Sequence, residues 1–114
     1  MKGEMPISNT GYGIVPKYAE IDVASAGDNT IVAAVTGKKI RVLQYSLVCG
    51  DAVTVQWKSS GGSTLSGDMS FAANGGISSA FSPSGLFETV AGEALVLNLS
   101  AGNPVSGHLV YTEK

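Results

Sequence analysis

From Gly37 to Ser59 the chain runs through two long stretches in which apolar and polar residues alternate with period two. Ile40, Val42, Gln44, Ser46 and Val48 share one face of the first stretch, and Arg41, Leu43, Tyr45, Leu47 and Cys49 share the other. In the second, Val53, Val55 and Trp57 alternate with Thr54, Gln56 and Lys58. Alternation in segments rich in Val, Ile, Thr, Tyr and Trp predicts half-buried strands, because successive side chains leave a pleated strand on opposite sides. The two runs are expected to form a central hairpin closed by a tight Gly50-Asp51 turn. Leu43, Leu47, Val53, Val55 and Trp57 are its expected core residues.

The same pattern recurs in shorter pieces on either side. Ala19–Ala24 reads as a strand with Ile21 and Val23 on one face, and Ala26-Gly27-Asp28-Asn29 reads as a turn before an apolar strand over Thr30–Val35. Ser59–Thr64 is a Ser/Gly loop. Leu65–Gly67 is expected to resume pairing, and Asp68–Ala72 and Ile77–Phe81 are short strands. The Asn74-Gly75-Gly76 turn between those strands requires positive φ. Leu86–Val90 and Ala94–Ser100 read as two strands around Ala91-Gly92-Glu93, the second carrying Leu95, Leu97 and Leu99 on one face. After Ala101–Pro104, Val105–Thr112 closes the chain, with Val105, Gly107, Leu109 and Tyr111 opposing Ser106, His108 and Val110. Roughly eight or nine strands with turn signals about every ten residues predict an all-β, single-domain antiparallel β-sandwich, jelly-roll-like in character.

Residues 1–18 differ from the rest. Gly3, Pro6, Gly11, Gly13 and Pro16 interrupt any regular element, yet Met5, Ile7, Tyr12, Ile14, Val15 and Tyr18 supply more apolar side chains than a disordered tail carries. The expected organisation is an extended N-terminal arm over 1–18 and a sandwich domain over 19–114.

Composition narrows the function. At 114 residues the chain is one domain with enough material for a single core. Only 14% of residues are charged and fifteen are glycine, a balance that suits strands and turns rather than helices. A net charge of −2 and one short basic cluster, Lys38, Lys39 and Arg41, argue against a nucleic-acid partner and suit a strand edge guarded against unwanted pairing. The single Cys49 excludes an internal disulfide and is expected as a buried thiol. Met1–Pro6 lacks the apolar core of a secretory signal, and no run approaches the ~18 apolar residues of a membrane span. The chain is expected to be soluble and made in the cytosol.

Catalytic equipment is sparse. His108 is the only histidine and no nucleophile-elbow motif accompanies it. One His and one Cys cannot build a Cys/His zinc site, so neither metal nor cofactor is expected. Asp22, Asp28, Asp51, Asp68, Glu88 and Glu93 fall mostly at turns and strand ends, where carboxylates are solvated or cap backbone N–H groups rather than forming a glycosidase pair. Gly11-Tyr12-Gly13 lacks the third glycine of a dinucleotide loop, and Asn98-Leu99-Ser100 matches a glycosylation acceptor inside an expected strand. Trp57, Tyr45 and Phe71 are the aromatics available to a sugar-binding groove, although Trp57 continues the Val53–Val55 face and is expected in the core.

From Ala19 onward the sequence resembles a group of small tailed-bacteriophage virion structural proteins. The resemblance rests on Ala19–Ala24, Gly27–Val35, Gly37–Val42, Ala72–Ile77, Gly85–Thr89, Gly92–Leu95 and Val105–Tyr111. It implies a jelly-roll-like sandwich carried on a virus particle. Within that class it implies a capsid decoration or cement protein with no enzymatic activity. Such a protein would bind the major capsid protein at three-fold positions on the outer surface of the head, as a homotrimer, with neither nucleic acid nor membrane as partner. The arm is the expected contact, through Met5, Ile7, Tyr12, Ile14 and Tyr18. The competing classes are a tail, baseplate or fibre component that binds host glycans and a carbohydrate-binding module, both of which would use the loops at 59–64 and 82–85.

Overall fold

The structure, a computed structural model, describes residues 13–114. Its described residues form an all-β sandwich of two antiparallel sheets. In chain order the strands are β1 (Lys17–Val23), β2 (Gly27–Val32), β3 (Ile40–Cys49), β4 (Val53–Ser59), β5 (Met69–Phe71), β6 (Gly76–Ser78), β7 (Phe87–Glu88), β8 (Leu95–Leu99) and β9 (Val105–Glu113). One sheet runs β1-β9-β3, with β6 and β7 lying one after the other along the free side of β3. The other runs β2-β8-β4-β5. The partners are nested: β4 pairs β5, β3 pairs β6 and β7, β2 pairs β8, and β1 pairs β9.

That nesting corrects the expected central hairpin. β3 and β4 do not pair; they belong to different sheets, and Gly50–Ala52 carries the chain over one end of the sandwich. Gly50 N–H donates to the Pro104 carbonyl (2.8 Å) and so ties this crossing to the β8–β9 connection. β7 and β8 likewise fall in opposite sheets. A short polar link between two alternating runs has the same local sequence whether it closes a hairpin or bridges two layers, and the bridge wins here because it buries both runs' apolar faces against each other.

The face assignment of β3 is corrected too. Val42 pairs with Tyr111 and Gln44 with Val110, so Leu43 is an extra residue in a β-bulge. The bulge reverses the phase of the alternation. Ile40 and Val42 point inward before it, Tyr45, Leu47 and Cys49 after it, and all five are buried. Leu43 is fully buried but stands outside the main inter-sheet cluster. The expected turn at Ala26–Asn29 is also mostly strand: Gly27 opens β2, and the Asn29 amide donates to the Ser25 carbonyl (2.8 Å) and so closes the preceding corner. The Asn74 turn has the expected left-handed backbone, at φ 65°.

Val53, Val55 and Trp57 of β4 and Leu95, Leu97 and Leu99 of β8 face Ile21, Tyr45, Leu47, Val105 and Leu109 of the opposite sheet. Tyr45, Trp57 and Phe87 form an aromatic cluster, with Tyr45 edge-on to Trp57 at 5.3 Å and Phe87 tilted at 5.8 Å from it. Cys49 is buried, and burial raises its thiol above the ordinary value, which keeps it protonated and unreactive.

At one end of the sandwich two buried polar residues stitch loops together. Thr89 Oγ1 accepts from the Ile40 N–H (2.9 Å). Ser59 Oγ donates to Glu93 (2.6 Å) and accepts from the Val90 N–H (3.1 Å), while the same Glu93 oxygen accepts from the Gly61 N–H (2.8 Å). Each buried hydroxyl is thereby satisfied, as burial requires.

Candidate functional site

No group of three or more His, Cys, Asp or Glu side chains comes together among the described residues in a way that could hold a metal ion. His108 stands exposed on the outer face of the β1-β9-β3 sheet, between Glu20 of β1 and Ser46 of β3. No helix among the described residues is long and apolar enough to cross a membrane. Trp57 and Tyr45 are core residues, with Trp57 0% exposed, and cannot offer ring faces to a sugar. Asn98 spends its side-chain amide on Asp28 (2.7 Å).

Of the five expected contact residues, Met5, Ile7 and Tyr12 lie outside the described residues. Ile14 and Tyr18 are placed. Tyr18 belongs to β1, which begins at Lys17, and the residue is 74% exposed. Ile14 is half-buried and lines a hollow with Val15, Lys17, Lys38, Arg41, Thr112 and Lys114. The segment is anchored there by Thr112, whose hydroxyl donates to the Val15 carbonyl (3.1 Å), and by the Lys17–Glu113 ion pair (2.8 Å). Val15 itself is 49% exposed. The structure therefore places Ile14, Val15 and Tyr18 beside the starts of β1 and β3 and the end of β9.

The charge around this corner is what sequence reasoning understated. Lys38, Lys39 and Arg41 were legible as a cluster. The fold adds Lys17 and Lys114, which are remote in sequence but brought close because β1, β3 and β9 are neighbours. Glu88 is the counterion at the centre. Arg41 Nε and Nη2 both reach its Oε1 at 2.9 Å, Lys39 reaches Oε2 at 3.2 Å, and Lys114 lies 3.9 Å away. The hydrogen bond from Arg41, reinforced by Lys39 and the charge of Lys114, holds the Glu88 carboxyl below its ordinary value.

A second exposed surface lies at the other end of the same sheet's outer face. Val48 is 54% exposed there, and Ser46, Ser78, Ser106 and His108 line an open trough together with Gly76 and Gly107. The outer face of the opposite sheet is polar, with Asp28 accepting from Asn98 and Lys58 (3.3 Å) and the Thr54 and Ser70 hydroxyls bonded to each other (2.9 Å).

These carboxylates set an acid limit. The Asn98 hydrogen bond and the Lys58 ammonium lower Asp28, Arg41 lowers Glu88, and the Ser59 hydroxyl with the Gly61 N–H lowers Glu93. A carboxyl depressed in the folded state stabilises the fold above its unfolded pKa of about 4, and that contribution is lost as pH falls through the lower folded value. The melting temperature is expected to hold from neutral pH down to about 5 and to fall progressively below about 4. The combined variant Asp28→Asn, Glu88→Gln and Glu93→Gln is expected to melt lower at neutral pH and to show a flatter acid limb in a pH series of thermal melts. An unchanged limb would mean that these pairs add nothing to stability.

No protein-family model matches the chain, and neither a curated protein nor a solved structure matches it.

Proposed function

We propose that this chain is a structural protein of a tailed-bacteriophage particle, a capsid decoration or cement protein that binds the major capsid protein at three-fold positions as a homotrimer. The observation that carries the reading is the nested pairing of strands across two sheets. Such nesting suits a folded ribbon rolled up as a jelly roll, an architecture much used in viral capsid proteins. The sequence resemblance from Ala19 onward points the same way. Fold does not fix function by itself. The corner where Val15 and Tyr18 are exposed beside the half-buried Ile14 supplies the kind of surface the role needs, aromatic and aliphatic groups next to a strand. A small interface repeated over a lattice binds firmly because linked subunits multiply single-site affinity.

The test is co-sedimentation of the purified protein with capsids stripped of it, counting copies per particle. Saturation near three copies per three-fold position supports the reading, and no binding to heads defeats it. Tyr18→Ala is the informative variant. It is expected to leave the melting temperature nearly unchanged, because an exposed side chain carries little stability. Truncating a tyrosine that serves as an interface hot spot costs binding about 2 kcal/mol or more, so capsid affinity should fall by about thirtyfold or more. A deletion test must spare β1. Removing residues 1–18 takes Lys17 and Tyr18 out of that strand and confounds binding with folding.

Glycan binding by a tail or fibre component is the alternative. It has weaker support, because the 59–64 loop spends Ser59 and Gly61 on Glu93 and Trp57 is sealed in the core.

A further inference from the structure

We infer that the corner formed by the starts of β1 and β3 and the end of β9 is a docking surface for an acidic protein segment. Five of the six cationic side chains among the described residues gather there: Lys17, Lys38, Lys39, Arg41 and Lys114. They meet two carboxylates, Glu88 and Glu113. The remaining described cation, Lys58, lies on the opposite sheet and is paired with Asp28. The corner therefore carries a local excess of positive charge on a chain whose net charge is −2.

The ammonium groups remain reachable. Lys17, Lys39 and Lys114 keep 48%, 44% and 45% of their side-chain surface open to solvent. Lys38 is exposed and has no ion pair among the described residues. Arg41 and Glu88 form the fixed unit, since two guanidinium nitrogens share one carboxylate oxygen. Each paired lysine meets its partner through a single part-exposed contact, and exposed pairs of that kind add little to stability, so exchange for an incoming carboxylate costs little.

Two features favour protein over nucleic acid. Glu88 and Glu113 sit among the cations, where a continuous phosphodiester chain would run against them, whereas separate carboxylates can each approach one lysine. The rim holds Ile14 and Val15, and the exposed Tyr18 follows Lys17 in β1, so charge adjoins apolar and aromatic surface, the mixture of a protein interface.

The experiment titrates isotope-labelled protein with poly-L-glutamate, and in parallel with single-stranded DNA, at about 0.01 M salt, where screening extends about 30 Å. Backbone amide shifts are expected to move at Ile14, Val15 and Lys17 and at residues 38–41 and 112–114, and to weaken as salt rises. The Lys38→Glu/Lys114→Glu variant should lose about tenfold or more in affinity for poly-L-glutamate while melting like the parent, whereas Lys58→Gln should bind like the parent. Shifts centred elsewhere, equal loss in Lys58→Gln, no binding, or tighter binding of the DNA would each overturn the inference. The result does not depend on capsids. A protein that binds poly-L-glutamate at this corner but fails to sediment with heads defeats the capsid reading alone.

Discussion

Replacing Trp57 with Ala is expected to destabilise the protein by about 3–5 kcal/mol, a large part of the 5–15 kcal/mol that holds a domain of this kind together. Trp57 lies in the middle of β4, opposite Leu97 of β8, and its ring fills the space between Tyr45 and Phe87 of the facing sheet. It is the largest fully buried side chain in the core. Truncation leaves a cavity that rigid strands on both sides cannot close. At roughly 4 °C or more per kcal/mol, the melting temperature should fall by about 12–20 °C or further.

Trp57→Phe separates packing from hydrogen bonding. The indole Nε1 is buried with no hydrogen-bond partner among the described residues, and the nearby Tyr45 hydroxyl is directed to Met69 Sδ at 3.6 Å. A buried donor left unpaired costs about 1–3 kcal/mol. Phe removes that donor while keeping an aromatic ring, so it is expected to cost much less than Ala. Chemical denaturation followed by the fluorescence of the single tryptophan gives the parent's stability, and circular dichroism gives that of both variants. Phe as damaging as Ala would mean that the indole N–H is doing something the structure does not contain. Loss of under 1 kcal/mol in Trp57→Ala would place the core elsewhere. The same burial means that loss of glycan binding in Trp57→Ala could not be read as loss of a sugar platform.

The inward side chains of β4, β8 and β9 were legible because an uninterrupted strand keeps its alternation, and Val53, Val55, Trp57, Leu95, Leu97, Leu99, Val105 and Leu109 all lie where period two puts them. β3 defeated the rule at one residue. Leu43 gives no local warning of a bulge, since it is as apolar as its neighbours, and the phase reversal comes from pairing with β9 and not from β3 itself. The choice between hairpin and sheet-to-sheet crossing at Gly50–Ala52 was equally hidden, because it depends on Pro104 some fifty residues later. For the same reason only the Lys38–Arg41 part of the basic corner could be read along the chain. Lys17, Glu88 and Lys114 join it only once three distant segments become neighbours.

A side chain at position 107 is expected to be as damaging as the loss of Trp57, for the opposite reason. Gly107 of β9 pairs with Leu47 of β3, and a Cβ placed there would run into the Ser46 carbonyl oxygen and lie 2.8 Å from Leu47 Cα. Gly76 of β6 meets β3 from the other side, where a Cβ would run into the Leu47 carbonyl oxygen and come within 3.1 Å of Val48 Cα. Both obstacles are backbone, so neither can swing away as a flexible side chain would. Neither glycine has positive φ; what each supplies is close approach, which lets two strands close on the Ser46–Val48 stretch near the end of β3. Gly107→Ala must therefore push β9 off β3 at the centre of the sheet, and a cost of about 4 kcal/mol or more is expected, in the range reserved for such lesions. Gly67→Ala is the matched control, since a Cβ there meets nothing within 4 Å, and it should be neutral or stabilise slightly by restricting the unfolded chain. Denaturant midpoints for the two variants decide the matter. If Gly107→Ala unfolds at the same midpoint as Gly67→Ala, the strands have room to separate, and the trough between Val48 and His108 is a soft surface rather than one fixed by the backbone.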